Sequence, residues 1–183
     1  MKPRDRVLAA ASQLFYEKGI RAVGVDRIAA EANVSKMTLY RHFPTKDDLV
    51  VAVLELRDQP AQAMLTAAAA AGKTPRERIL APFKMLERWF TSDGFRGCPF
   101  MNASLELANP GHPARAVAER HKTATRDQFE SLARDAAASD PRSLADQLAV
   151  IFDGAIAQAQ MRDPRAVARA ALAAATALVD GSL

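Results

Sequence analysis

The sequence predicts an all-α protein of about nine helices, and three observations carry that expectation. Apolar residues recur at three- and four-residue spacing, and no stretch alternates β-branched residues for long enough to make a strand. Alanine is abundant while only 8 of 183 residues are glycine, a composition that favours helices. Prolines follow capping residues in Thr74-Pro75, Asp140-Pro141 and Asp163-Pro164, where a helix starts and the missing N–H removes no helix hydrogen bond.

The elements follow in order. Val7, Leu8, Ala11, Leu14 and Phe15 stripe a first helix that Gly19 ends. A short second helix runs from about Asp26 to Ala32, and Ser35 caps a third over Lys36 to Phe43. Thr45 caps a fourth, with Asp48 at the third helical position in the manner of a capping box; this helix runs to about Ala71. Thr74-Pro75-Arg76-Glu77 is a capping box with proline at the first position and opens a fifth through about Thr91. The turn-rich TSDGFRGCP precedes a short helix over Phe100 to Ala108, which NPGHP breaks. Pro113 opens a long helix to about Ala138, and the two Asp-Pro pairs open the last two.

Hydrophobic residues make up 49% of the chain and charged ones 25%, a globular composition. The net charge of +4 is unevenly placed. Residues 1–46 carry nine Lys/Arg against four Asp/Glu, and the remainder carries 16 against 17. The basic excess of the first quarter points to a polyanionic partner. Cys98 is the single cysteine, so no intrachain disulfide is possible, which fits a reducing cytoplasm. Gln13, Glu17 and Lys18 interrupt the one segment that could pass for a signal peptide. The longest apolar run, Ala170 to Val179, is about half a membrane span, so no membrane is expected.

The second and third helices are separated by only a few residues, with Asn33 where a tight turn needs a left-handed residue. Ile28, Ala29, Val34, Leu39 and Phe43 fall on inward faces, which is the pattern of a helix-turn-helix. Lys36, Met37, Tyr40 and Arg41 are left outward, with His42 and Lys46 just beyond. Lysine, tyrosine and histidine hold phosphates and fix register. At the first turn of such a helix Lys36 can donate to guanine and Met37 can touch a thymine methyl, while Thr38 does either or completes the helix start. Ser35 and Arg27 join the candidate DNA-binding set.

The run LFYEKGIRAVGVDRIAAEANVSKMTLYRHFPTKDDL resembles the DNA-binding domain of the TetR/AcrR family of bacterial transcriptional repressors. The family pattern G-V-S-x-x-T-L-Y-x-H-F-x-x-K-x-x-L is present as NVSKMTLYRHFPTKDDL. Asn33 replaces the common turn glycine, and Val25 stands where a phosphate-contacting threonine is common. The resemblance implies a DNA-binding domain over residues 1–46 and a ligand-binding and dimerisation domain over 47–183.

It further implies a homodimer whose last two helices pair with the partner's. Leu148, Phe152, Ala155 and Ile156 on one helix, with Val167, Ala171 and Leu178 on the next, are the expected interface. It implies a small-molecule inducer, apolar or aromatic, in a pocket among Phe83, Leu86, Trp89, Phe90 and Phe129, together with Phe100, Met101, Asn102 and His121. Plain core packing and an inert Cys98 are the alternatives for these residues. A Cys98 that senses electrophiles requires its pKa to be lowered by Arg96 and nearby amides.

The expected function is a ligand-responsive regulator released from a pseudo-palindromic site on double-stranded DNA. A non-specific architectural DNA binder is the alternative, against which the long apolar C-terminal region weighs. No glycine-rich phosphate loop, His-Glu-x-x-His or paired metal-ligand motif is present, so neither enzyme activity nor a cofactor or metal is expected.

Overall fold

The computed structural model describes residues 1–183. It contains nine helices and no strand: α1 Pro3–Lys18, α2 Val25–Glu31, α3 Lys36–His42, α4 Lys46–Ala70, α5 Pro75–Phe90, α6 Pro99–Glu106, α7 Pro113–Asp135, α8 Pro141–Gln158 and α9 Pro164–Ser182. The starts are set by the expected caps. Ser35 Oγ accepts from Thr38 N at 3.1 Å. At α4 the Asp48 carboxylate accepts from Thr45 N at 2.9 Å, and Thr45 Oγ1 accepts from Asp48 N at 3.0 Å. At α5 the capping box of Thr74 and Glu77 closes in both directions. Asp140 and Asp163 each accept from a first-turn N–H. Each such cap contributes about 1 kcal/mol.

Two compact units form. The first comprises Met1–Gln59 with Pro99–His121, the second Pro60–Cys98 with Lys122–Leu183. α4 contributes to both, and Pro60 stands inside it where one unit gives way to the other. Proline has no N–H to donate to the preceding turn, so α4 lacks one of its hydrogen bonds there.

In the first unit α1 packs on α2 and α3 over fully buried Val7, Ile28 and Leu39. Arg57 on α4 reaches Ser12 on α1, and Arg115 on α7 reaches the Ser104 carbonyl on α6. In the second, α5, α8 and α9 pack together around Phe83, Phe129 and Phe152. The three rings meet pairwise with centroids 5.6 to 5.7 Å apart. Each such pair contributes about 0.5–1.5 kcal/mol beyond its area burial. Arg76 closes α5 on α9 with two bonds to the Asp180 carboxylate, at 2.6 and 2.9 Å.

The residues expected at a subunit interface lie elsewhere than on an open face. Leu148, Phe152, Ala155, Ile156, Val167 and Ala171 are buried within this single chain, and Leu178 is half-buried. Their periodic stripe is the seam along which α8 and α9 join the rest of the second unit. The sides left open carry Val150, 73% exposed, and the small residues Gly154, Ala170, Ala173, Ala174 and Ala177.

Candidate nucleic-acid interface

The turn between α2 and α3 fixes this site. Asn33 adopts φ +50°, and Val34 N and Asn33 N donate back to the carbonyls of Ala29 and Ala30, both at 3.0 Å. Ala29 is 4% exposed, so its small side chain is buried beside this turn. Arg6 on α1 adds a bond that periodicity does not reveal: its Nη2 donates to the Asn33 carbonyl at 3.1 Å. Arg4, also on α1, lies 5.3 Å over the Phe43 ring.

With Leu39 and Phe43 buried, α3 turns the rest of its surface outward. Met37 is 82% exposed and Tyr40 43%. Lys36, Arg41 and Arg27 are exposed too, and so is the Ser35 cap. The Lys36 ammonium pairs with the Asp26 carboxylate of α2. These exposed groups offer cationic, phenolic and thioether contacts along one short helix, suited to phosphates, base edges and a thymine methyl.

Three other candidates are differently engaged. Thr38 is turned to the helix start, its Oγ1 at 2.9 Å from Ser35 Oγ. His42 is half-buried, and its Nε2 is enclosed without a hydrogen bond. Lys46 donates to the Ile20 carbonyl at 2.6 Å and lies 5.9 Å from the Phe15 ring centre. Burial pulls its pKa down, and the carboxylates of Glu106 and Asp47 pull it partly back. Its ammonium holds the loop before α2 rather than reaching outward. The same loop is also held by Glu106 on α6, which accepts from Arg21 N at 3.0 Å. At Gly19, φ +87°, an added Cβ would stand 3.1 Å from that carboxylate. The glycine therefore serves both the left-handed backbone and the approach of Glu106.

The candidate inducer-pocket residues are divided between the units. Phe83, Leu86, Phe90 and Phe129 are buried in the second, where Phe83 and Phe129 touch. Trp89 is half-buried beside Phe90 and Phe95. In the first unit Phe100 stacks on His121 at 3.7 Å, and His121 Nδ1 lies 2.7 Å from the Asp58 carboxylate. Met101 and Asn102 are half-buried, and Asn102 borders a cleft between α1, α4 and α6. Cys98 is a free, buried thiol.

Comparison with known proteins matches the chain twice. The family described as "Bacterial regulatory proteins, tetR family" matches residues 7–53, and "Tetracyclin repressor-like, C-terminal domain" matches residues 75–174. Among solved structures, SCO4454, a TetR-family transcriptional regulator from Streptomyces coelicolor, superposes with a TM-score of 0.91 at 33% identity, covering 98% of this chain and 95% of that one. A TetR transcriptional regulator from Streptomyces avermitilis does so with 0.90 at 36%, covering 100% and 98%. The HTH-type transcriptional regulator YjdC of Escherichia coli is 24% identical over 160 residues, 85% of this chain and 82% of its own.

Proposed function

The chain belongs to the TetR family of bacterial regulatory proteins, and from that membership we propose a ligand-released, sequence-specific repressor that binds a two-fold operator as a homodimer. The observation that carries this reading is the outward row on α3, Lys36, Met37, Tyr40 and Arg41, standing on a buried Leu39 and Phe43. A binder of phosphates alone has no use for an 82% exposed methionine at the first turn of that helix. A thymine methyl is its natural contact. Ser35 and Arg27 add backbone contacts beside it. Residues 1–46 read DNA, and residues 47–183 take the ligand and the second subunit.

The dimer is assigned to the open sides of α8 and α9. Val150 supplies an apolar anchor, and Gly154, Ala170, Ala173, Ala174 and Ala177 permit close helix approach. The inducer is assigned to the second unit as a small apolar or aromatic molecule. A solvent-open groove of about 690 Å³ beside α4 and α5, walled by Met64, Met85 and alanines and rimmed by Lys73, Glu77, Lys84 and Arg88, is the space this unit offers for it. α4 belongs to both units and carries the response. A ligand shifts the balance of two states only by its differential affinity, worth about 1–3 kcal/mol in typical coupled systems.

The test is the paired exchange Lys36→Met and Met37→Lys. Both side chains are exposed, so the fold is kept, and the preferred DNA sequence changes within each half-site. An exchanged protein that prefers the same sequence as the original contradicts the assignment of α3 as the reading helix.

A further inference from the structure

A narrow cleft lies between α1, α4 and α6, inside the unit that carries the DNA-binding helices. Phe15, Val53, Leu54 and Ala103 give it an apolar lining; Arg57, Asn102, Ser12 and Tyr16 contribute polar groups, and so does the Glu106 carboxylate, which Arg21 N engages. Arg57 is half-buried. Its Nε donates to Ser12 Oγ at 2.9 Å and its Nη2 to the Ser12 carbonyl at 2.7 Å. The Tyr16 ring lies against the guanidinium, 4.7 Å from its central carbon.

These contacts fix the group's direction and use one edge of it. A guanidinium carries five N–H donors in a plane, and Nε with the adjacent Nη2 hydrogen forms one fork. The second fork, Nη1 with the other Nη2 hydrogen, takes no part in the bonds to Ser12 and has the geometry to grip a carboxylate with two parallel bonds. Arg57 is bonded to Ser12 rather than to a carboxylate, and the titratable group acting on it is Tyr16. Burial depresses its pKa. A cation withdrawn from water without a counter-ion is costly unless an anion completes it.

We propose that this cleft binds a small organic carboxylate, gripped by the second fork of Arg57 with its carbon skeleton laid on Phe15, Val53 and Leu54. The apolar lining favours a carboxylate with an alkyl or aryl part over inorganic phosphate. The resting volume is about 20 Å³, where one water needs roughly 10–15 Å³ in the same measure. A carboxylate of a few carbons therefore has to part the three helices. Glu106, which borders the cleft, is the residue that holds Arg21 N just ahead of α2. Widening the cleft thus acts on the backbone that positions the DNA-binding helices. This consequence rests on the ligand-responsive reading above, whereas the binding itself does not.

Butyrate is the probe, with butyramide as its uncharged counterpart and chloride as a simple anion. The full chain is melted with each, alongside Arg57→Gln and Arg57→Lys. Butyrate at ten times its Kd raises the Tm of the unaltered chain by about 3–5 °C. Butyramide and chloride do not, Arg57→Gln abolishes the rise, and Arg57→Lys keeps at most a fraction of it. Should Arg57→Gln not fold, the arginine Nε–H resonance of the unaltered, isotope-labelled chain is followed instead, and a saturable shift of the Arg57 signal with butyrate is expected. Equal response to butyrate and butyramide, a rise that survives in Arg57→Gln, or no response at all overturns the site. Butyrate that binds at Arg57 while DNA affinity stays constant upholds the site and overturns its link to the DNA-binding helices, leaving the inducer groove of the second unit untouched.

Discussion

Lys36 and Asp26 form an ion pair that ties the first residue of α3 to the second residue of α2. Both side chains are largely exposed, so the pair adds about 0–1 kcal/mol to stability. Its larger effect is expected on DNA binding. With α3 as the proposed reading helix, a carboxylate at that place would repel phosphates and hold Lys36 until a base edge or phosphate competes for it. Asp26→Asn should leave Tm nearly unchanged and strengthen binding to random duplex more than to the preferred site. Anisotropy titrations on both duplexes, at two salt concentrations, check this. An equal gain on both duplexes would remove the discriminating role.

Lys46 and Arg41 separate structure from phosphate binding. Lys46→Ala leaves the partly buried Ile20 carbonyl without its donor, which costs about 1–3 kcal/mol. Its salt slope for DNA binding should stay as in the unaltered chain. Arg41→Ala touches no such bond, should leave stability within about 0.5 kcal/mol, and should lower the salt slope by about 1. Urea melts and salt titrations of both variants give the answer.

The second unit rests on its aromatic centre. Phe83→Ala removes a ring that touches both Phe129 and Phe152, and it should cost about 3–5 kcal/mol. Trp89, half-buried at the edge beside Phe90 and Phe95, should cost less when truncated. A smaller cost for Phe83→Ala than for Trp89→Ala would contradict a core centred on Phe83.

Much of this fold was legible in the sequence because its helices are capped by side chains that announce themselves. Ser35, Thr45, Thr74, Asp140 and Asp163 stand where they were expected, and so does the left-handed Asn33. Ala137 did not announce itself. It adopts φ +56° at the end of α7, with Ala138 N donating to the Ala133 carbonyl, and alanine carries no signal for that conformation. The outward face of α3 was legible from periodicity, whereas the inward turn of Lys46 was not. Its partner is a backbone carbonyl 26 positions away. The stripes of α8 and α9 were equally visible, but an apolar stripe does not say whether its partner is the same chain or another. The Arg57 cleft left no mark, since its geometry comes from three helices distant in sequence.

Ala137→Gly should therefore stabilise the protein. Glycine adopts positive φ without the Cβ clash, and the gain, set against its greater freedom when unfolded, should be about 0.5–1 kcal/mol. A lower Tm for this variant would contradict the left-handed end of α7.

Acid should weaken the fold through three carboxylates. Backbone N–H groups of Lys73 and Thr74 hold Glu77 below its ordinary 4.5, bonds from Arg134 and then Arg126 do so for Glu130, and the Arg76 bond holds Asp180 below its ordinary 3.8. A lowered folded pKa means that the unfolded chain takes up protons first. Their stabilisation is complete above those ordinary values and is lost as pH falls through the depressed ones. Tm should fall steadily from about pH 5 downward, and less steeply in Glu77→Gln. An identical pH profile for that variant would exclude Glu77 from the effect.

Sequence-specific recognition by a two-fold dimer is what separates the proposed function from binding to phosphates alone. It is tested most directly by incubating the full chain with a random pool of duplex DNA over a series of salt concentrations and sequencing what is retained. A single motif with two-fold symmetry is expected, its half-sites about one helical turn apart, and it persists as salt rises. Uniform retention of all sequences, fading smoothly with salt, would contradict it and leave binding to phosphates alone.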